Sequence, residues 1–288
     1  MYEFIFNQDW VNKGLKEYDR AIADYNQAIK LDPNDVKAYY NRGIAYKDLK
    51  EYDRAIADFN QAIKLDPNDV DAYYNRGNAY GNKKEYDRAI ADYNQAIELD
   101  PNFVDAYYKR GLAYNYSKEY DRAITDSNQA LKLDPNYLYA YYNRGSAYGN
   151  KKEYDRAIAD YNQAIKLDPN FVDAYYKRGL AYNYLKKYGR AIADYNQARK
   201  LGPNFVSAYN CRGNAYKDLK EYDRAIADYN QAIKLDPNFV KAYYGRGIAY
   251  KNKGDKDLAI KDFNKVIKFN NNKDLIQFAQ EQLQEIDG

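Results

Sequence analysis

Residues 36–69 read VKAYYNRGIAYKDLKEYDRAIADFNQAIKLDPND, and close copies of this stretch fill most of the chain. The seven prolines recur at one constant interval, at Pro33, Pro67, Pro101, Pro135, Pro169, Pro203 and Pro237. A fixed period of this size is the sequence signature of a repeat protein. We predict one elongated domain over 1–288, with full copies at 36–69, 70–103, 104–137, 138–171, 172–205, 206–239 and 240–273.

Each copy contains two stretches whose apolar residues have helical spacing. The first runs from Ala38 to Tyr46 and the second from Tyr52 to Ile63, with apolar residues three and four positions apart. A short polar segment separates them, which predicts a helix, a tight turn and a second helix. Proline cannot continue a helix interior, so Pro67 marks the connection to the next copy.

Small residues recur on both helices of every full copy. Gly43 and Ala55 have an equivalent in each later copy, at the same interval as the prolines. A glycine inside a helix costs about 1 kcal/mol relative to alanine, so a close approach of two backbones is the natural reason for it. We interpret the copies as pairs of helices in which small residues face large rings.

The copies resemble the tetratricopeptide repeat, and in residues 36–69 the matching positions are Tyr39, Gly43, Tyr46, Ala55, Phe59, Ala62 and Pro67. Two positions depart from that family: Tyr39 stands where tryptophan is usual, and Arg42 where leucine is more common. The resemblance covers residues 2–273 and implies an all-α, right-handed superhelical solenoid of helix-turn-helix repeats. Pentatricopeptide repeats have a similar length but lack this order of glycine, tyrosine, alanine and proline.

Both ends of the array depart from the pattern. Residues 2–35 form a partial first copy, whose second helix is predicted over Tyr18–Leu31 and whose first helix is poor. Trp10 and Phe6 are expected to cover the open end, unless the native N-terminus has been trimmed. Residues 274–288 predict a capping helix with Asp274 as its N-cap, an apolar face that includes Phe278, and a chain that is complete there.

A second period, twice as long, is superimposed on the first. The copy at 70 resembles the copy at 138, and the copy at 104 resembles the copy at 172, which indicates duplication of a pair. Gly189, Arg199 and Gly202 replace consensus residues in copy 172–205, where we expect a softer joint. Ser127 replaces an aromatic residue and predicts a local packing deficit.

Composition excludes several classes of function. The net charge of +3 is small for 288 residues and no basic stripe is evident, which argues against nucleic-acid binding. No apolar run approaches the roughly 18 residues that a membrane span needs, and no signal peptide is evident. The single cysteine, Cys211, excludes an internal disulfide and favours a cytoplasmic location.

Catalytic chemistry has little support in the sequence. Histidine is absent, which removes the commonest general base and metal ligand. The recurring acid Asp58 follows Arg54 by four residues, so we interpret the two as an exposed ion pair on one helix face rather than an acid–base site. We predict no enzyme activity, no metal and no cofactor.

Residues on the opposite side of the first helices are candidates for binding. In tetratricopeptide proteins the first helices line a concave groove, and the resemblance carries that role to Tyr40, Asn41, Ile44, Tyr74, Asn75, Asn78, Tyr108, Lys109, Leu112, Tyr116, Tyr142, Asn143, Ser146, Tyr176, Lys177, Leu180, Tyr184, Asn210, Asn214 and Tyr244. Tyrosine offers a large apolar surface with a hydrogen-bonding tip, and asparagine can bind a peptide backbone. The other interpretation is that these tyrosines only cover neighbouring helices.

These residues predict a scaffold that binds a peptide segment of a partner protein, with Lys109 and Lys177 favouring acidic residues in the ligand. The lysine, asparagine and arginine set that captures chaperone C-termini in one family subtype is not reproduced. The recurring Arg42 is expected to pack between helices and reach a nearby aspartate or carbonyl, with an acid-binding ladder as the alternative. Self-association into a structural homo-oligomer is the alternative function.

Overall fold

The computed structural model describes the backbone of residues 2–269 and 272–287 and the side chains of residues 17–269 and 272–286. This part of the chain is all-α, as predicted, with sixteen helices and no strand. None of these helices is long and apolar enough to cross a membrane. The helices are α1 (Tyr2–Leu31), α2 (Val36–Asp48), α3 (Tyr52–Leu65), α4 (Val70–Asn82), α5 (Tyr86–Leu99), α6 (Val104–Tyr116), α7 (Tyr120–Leu133), α8 (Leu138–Asn150), α9 (Tyr154–Leu167), α10 (Val172–Tyr184), α11 (Tyr188–Leu201), α12 (Val206–Asp218), α13 (Tyr222–Leu235), α14 (Val240–Lys253), α15 (Lys256–Phe269) and α16 (Lys273–Asp287).

By its internal contacts the chain divides into two compact units, Met1–Ala147 and Tyr148–Gly288, with the boundary inside α8. In each unit the helices pack as consecutive pairs, such as α4 with α5 in the first and α10 with α11 in the second. The second helix of a pair also packs on the first helix of the next pair, as α5 does on α6. Each unit is therefore a run of stacked helix-turn-helix repeats, which confirms the predicted fold class.

A left-handed residue closes the turn inside each pair. The amide of Lys50 donates to the carbonyl of Lys47 at 2.9 Å, and the amide of Glu51 donates to the carbonyl of Tyr46 at 2.8 Å. These two bonds form a Schellman turn, which requires a positive φ that non-glycine residues adopt at a cost. Lysine takes this conformation at Lys50, Lys84, Lys118, Lys152, Lys186 and Lys220, with φ between 56° and 64°, and glycine does so at Gly254, with φ 97°.

The contact between small and large residues is confirmed inside the pairs. A Cβ atom added to Gly43 would lie 2.8 Å from the ring of Phe59, which is closer than a side chain can approach. Ala55, Phe59 and Ala62 of α3 are fully buried. The glycine therefore lets α2 approach α3 closely enough for the ring to fill the space between them.

An arginine–aspartate pair links the two helices in six of the full repeats. In the first full copy, Nε and Nη2 of Arg42 donate to the two carboxylate oxygens of Asp58 at 2.7 and 2.6 Å, and Nη1 donates to Asn26 on the preceding helix. The same bidentate pairing joins Arg76 to Asp92, Arg110 to Asp126, Arg178 to Asp194, Arg212 to Asp228 and Arg246 to Asp262. The prediction that the arginines pack between helices and reach an aspartate is confirmed.

The predicted ion pair between Arg54 and Asp58 is wrong. Asp58 is buried with 6% of its surface exposed, and its partner is Arg42 on the facing helix. Arg54 lies on the exposed side and pairs instead with Glu51 at 2.6 Å. Burial explains the choice, because a carboxylate that leaves water needs a bidentate partner across the helix interface.

The first copy is a single helix, α1, rather than a helical hairpin. The sequence has Asp9 and Asn12 at the positions of Gly43 and Tyr46, so it lacks the glycine and the tyrosine that the full copies use to pack a first helix on the second. The side chains of Phe6 and Trp10, which were expected to cover this end, lie outside the described residues.

The C-terminal helix α16 packs on α15 through Ala279 and Ile286. The N-cap is Asn272 and not the predicted Asp274. Oδ1 of Asn272 accepts hydrogen bonds from the amides of Asp274 and Leu275 at 3.0 and 3.2 Å. The predicted inward position of Phe278 is also wrong, since 49% of its surface is exposed. The helix therefore packs through a narrower apolar face than the sequence predicts.

One expected weak point, at Ser127, is filled by a neighbouring side chain. Ser127 is fully buried, and its hydroxyl accepts from Nδ2 of Asn143, which occupies the space of the missing ring. The predicted packing deficit is therefore corrected by an amide from the next helix. Arg199, which replaces an apolar residue, places its guanidinium 4.1 Å from the centre of the Tyr209 ring.

Candidate functional site

Tyr40 and several of its equivalents on later first helices pack against a ring on the second helix of their own repeat. Tyr40 lies 6.0 Å from Phe59, Tyr74 lies 6.1 Å from Tyr93, and Tyr176 lies 6.2 Å from Tyr195, measured between ring centres. Burial raises the pKa of Tyr40 to about 12, so its phenol stays protonated and can donate a hydrogen bond. These rings are half-buried, and covering neighbouring helices is a large part of what they do.

The residue just before the first helix of the following repeat differs among the copies, and it determines whether the tyrosine of the preceding repeat is covered by a second ring. Asp35 and Asp69 cap their helices by accepting from a backbone amide at 3.0 and 2.9 Å. Phe103 has no side-chain cap, but its ring lies 4.8 Å from Tyr74. Phe205 makes the same contact with Tyr176 at 4.7 Å. At this position, the later copies with phenylalanine lose the side-chain helix cap that aspartate provides and gain a contact between two aromatic rings.

Three of the asparagines predicted to line the groove are buried between helices. Asn75 and Asn210 each expose 7% of their surface, and Asn143 exposes 1%. Asn75 donates to the phenol oxygen of Tyr40 at 3.1 Å. They face the seam between successive repeats. The prediction considered the two helices of a single repeat and could not show that the neighbouring repeat covers these positions. The prediction that these three asparagines line an open groove is wrong.

Asn78 and Asn214 accept hydrogen bonds from phenols inside their own repeats. The hydroxyl of Tyr93 donates to Asn78 at 2.9 Å, and the hydroxyl of Tyr229 donates to Asn214 at 2.7 Å. Where the ring is Phe59, the equivalent residue is the apolar Ile44, which packs beside it. In these three repeats the chemistry of the groove position therefore follows the chemistry of the ring beside it.

Other predicted groove residues are distributed as follows. Asn41 is exposed, whereas Tyr142 and Ser146 are half-buried and have contacts of their own. Tyr244 packs in the cluster that includes α16. In the second unit Lys177 and Leu180 are half-buried, and Tyr184 exposes 65% of its surface.

The structure brings four of the predicted residues together around a cavity of about 490 Å³ in the first unit. The cavity lies where α2, α4, α5 and α6 meet. Gly81 is one of its lining residues, and a Cβ added there would lie 3.6 Å from the hydroxyl of Tyr93. The lining consists of Lys47, Asn78, Gly81, Asn82, Lys84, Tyr86, Tyr93, Lys109, Leu112, Ala113 and Tyr116, of which Asn78, Lys109, Leu112 and Tyr116 were predicted from the sequence.

Positive charge is concentrated at this cavity. Three lysines line it, and the described lining residues include no acidic side chain. The pKa of Lys109 is lowered chiefly by burial of its ammonium group; Asp105 opposes this shift, and the charge of Lys47 adds to it. Lys47 is oriented by a 2.9 Å hydrogen bond to Asn75. A carboxylate in the cavity would therefore meet the oriented ammonium group of Lys47 and the partly desolvated one of Lys109.

A pair of stacked tyrosines forms one wall of the cavity. Tyr116 lies on Tyr86 with ring centres 5.2 Å apart and an interplanar angle of 10°. Tyr116 exposes 61% of its surface, which is unusual for so large a side chain. The stack restrains an aromatic surface beside the lysines, so the site can accept an apolar or planar group next to a negative one.

Sequence reasoning missed Lys47, Gly81, Lys84 and Tyr86. The sequence does contain a signal for the cavity. Gly81 occupies the same position of the repeat as Lys47 does one copy earlier, so a side chain is missing there. A search for groove positions that shrink from one copy to the next would have found it.

Comparisons with known families match the repeat directly. The tetratricopeptide-repeat family matches residues 36–69, 70–103, 172–205 and 240–273. A second description of the family, TPR repeat, matches 15–50, 111–152, 150–186 and 213–254, and a third matches 92–125. No protein with a curated description matches the chain.

Solved structures share the fold. The chain is similar to MamA at 30% identity, with a TM-score of 0.53 over 57% of this chain and 90% of that protein. It is similar at 25% identity to YrrB, described as a TPR protein with an unusual peptide-binding site, with a TM-score of 0.53 over 64% of this chain and 95% of that one. A tetratricopeptide repeat protein from Parabacteroides merdae matches 88% of this chain and 99% of its own length, with a TM-score of 0.67 and 19% identity.

Proposed function

Since the chain belongs to the tetratricopeptide-repeat family, we propose that it is a non-enzymatic scaffold that binds an acidic peptide segment of a partner protein at the cavity above Gly81. The observation that carries this proposal is the convergence of Lys47, Lys84 and Lys109 beside an exposed tyrosine stack. The single cysteine favours a reducing compartment such as the cytoplasm.

The chemistry of the site fits a segment of peptide better than a rigid small molecule. A glutamate or aspartate side chain supplies the negative group for the lysines, and an adjacent apolar residue covers the exposed face of Tyr116. Asn82 lines the same cavity and can bind a peptide carbonyl or amide. The similarity to YrrB supports this class of ligand, although its peptide-binding site belongs to that protein.

Selection from a random peptide library tests the proposal. The full chain is compared with the Lys47→Glu/Lys109→Glu variant and with the matched control Lys64→Glu/Lys132→Glu, which changes two exposed lysines on second helices. We expect acid-rich peptides to be enriched by the wild type and by the control, and much less by the first variant. Equal enrichment by all three proteins, or none, would contradict the proposal.

Self-association is a second candidate function, and one observation favours it. Ala21, Tyr25 and Ala28 of α1 are partly exposed, whereas their equivalents in α3 are fully buried. A second copy of the chain would cover this apolar face. Light scattering tests the idea: molar mass should double with concentration for the wild type and not for Tyr25→Asp, and a constant mass for both would exclude it.

A further inference from the structure

The second unit repeats the construction of the cavity wall independently. Tyr184 stacks on Tyr154 with ring centres 5.0 Å apart and an interplanar angle of 7°, nearly the geometry of Tyr116 on Tyr86. The outer rings are exposed to similar extents, 65% for Tyr184 and 61% for Tyr116. These two parallel stacks differ from the tilted ring contacts inside the repeats, where Tyr74, for example, makes an angle of 51° with Tyr93.

The residues around the second stack also match those around the first. Gly149 faces the hydroxyl of Tyr161 with an added Cβ at 3.8 Å, as Gly81 faces that of Tyr93 at 3.6 Å. Lys152 closes its turn with φ 63°, and Lys84 with φ 64°. Lys177 and Leu180 are half-buried on α10, at the positions that Lys109 and Leu112 occupy on α6.

Two positions separate the two sets: Ser146 stands in place of Asn78, and Lys47 has no lysine counterpart. Lys47 stands one copy before Gly81, and the residue one copy before Gly149 is Asn115. In the first unit Asn115 donates to the side chain and the carbonyl of Asn143 at 2.6 and 3.0 Å, so it is engaged in packing. The second set therefore keeps the stack and two lysines without a counterpart of Lys47.

We infer that the chain carries two separate ligand sites of one type, the second formed by Lys152, Tyr154, Lys177, Leu180 and Tyr184. Each takes a peptide segment with a carboxylate side chain next to an apolar or aromatic one. The second site binds the same segment more weakly because it has fewer ammonium groups. The inference rests on the proposed function, since it assigns the same ligand chemistry to a second place on the chain.

Zero-length cross-linking locates the ligand at each site. The probe is a synthetic peptide of four alternating glutamate–tyrosine pairs, mixed with the full chain and coupled by a carbodiimide, which joins carboxylates to lysine amines. Intact mass counts the peptides bound, and digestion identifies the lysines. We expect up to two peptides per chain, joined at Lys47, Lys84 or Lys109 and at Lys152 or Lys177.

Two tyrosine variants keep every lysine and so separate the sites. Tyr184→Ala should reduce adducts in the second unit several-fold and leave those in the first unit unchanged, and Tyr116→Ala should do the reverse. Adducts confined to the first unit would overturn the second site and leave the proposed function intact. Adducts spread over exposed lysines such as Lys64 and insensitive to both variants, or no adducts at all, would overturn both.

Discussion

The helix pairs α4–α5 and α10–α11 contain the same buried ring in different chemical surroundings. Tyr93 and Tyr195 both lie against a glycine, where an added Cβ would be 2.8 and 2.7 Å from the ring. The hydroxyl of Tyr93 donates to Asn78, but the residue equivalent to Asn78 in the second pair is Leu180. The hydroxyl of Tyr195 is buried without a hydrogen-bond partner.

This difference shows that two repeats built around the same buried ring can differ in whether one polar group has a hydrogen-bond partner. A buried hydroxyl without a partner costs about 1–3 kcal/mol. In the copies with Phe59 and Phe263 the groove residue is Ile44 or Ile248, so an apolar residue is paired with a ring that has no hydroxyl. The α10–α11 pair combines a tyrosine with the apolar partner and is the exception.

The largest expected effect comes from removing the two hydroxyls. Tyr93→Phe should destabilise α4–α5 by about 1 kcal/mol, because it removes a satisfied hydrogen bond. Tyr195→Phe should stabilise α10–α11 by about 1–2 kcal/mol, because it removes an unsatisfied buried group. Amide hydrogen exchange measured helix by helix checks both, and a change of the same sign in the two pairs would break the comparison.

A smaller effect is expected from supplying the missing acceptor. Leu180→Asn should restore the hydrogen bond to Tyr195, and a double-mutant cycle with Tyr195→Phe should give a coupling free energy of about 1 kcal/mol. Leu112→Asn is the matched control, since the ring position of its repeat is Ser127. Chemical denaturation gives the coupling, and a value near zero would mean that the introduced amide does not reach the phenol.

The smallest effect concerns the start of α11. Gly189 stands where each of the other full copies has aspartate, and an added Cβ there would meet no atom within 4 Å. Gly189→Asp should raise the stability of α11 by about 0.5–1 kcal/mol, through lower chain entropy when unfolded and a favourable charge at the helix N-terminus. Asp87→Gly in α5 is the reverse substitution and should lose a similar amount in thermal unfolding. A gain in both variants would contradict this reasoning.

The sequence was sufficient to predict the helix pairs. The constant period and the position of the prolines place the starts of the first helices at Val36, Val70 and Val104, and the structure begins helices at these residues. The recurring glycines also predicted the contact with the rings, because a glycine inside a helix is unfavourable unless a close approach requires it.

Partners on facing helices could not be predicted in the same way. Asp58 lies four residues from Arg54 and sixteen from Arg42, and only the fold shows that the more distant arginine is the partner. Asn75 and Asn143 point away from their own second helix, but the neighbouring repeat buries them. The cavity depends on the absence of a side chain at Gly81, which apolar periodicity does not reveal.

The most direct test of the proposed site is the affinity of the full chain for the glutamate–tyrosine peptide, measured by fluorescence anisotropy at two salt concentrations. Lys47→Glu/Lys109→Glu should weaken binding about tenfold or more and reduce its dependence on salt, because it replaces two attractive charges with repulsive ones. Lys64→Glu/Lys132→Glu carries the same change in net charge and should bind nearly as the wild type does. If both variants lose affinity equally, or if neither does, the cavity above Gly81 is not the binding site.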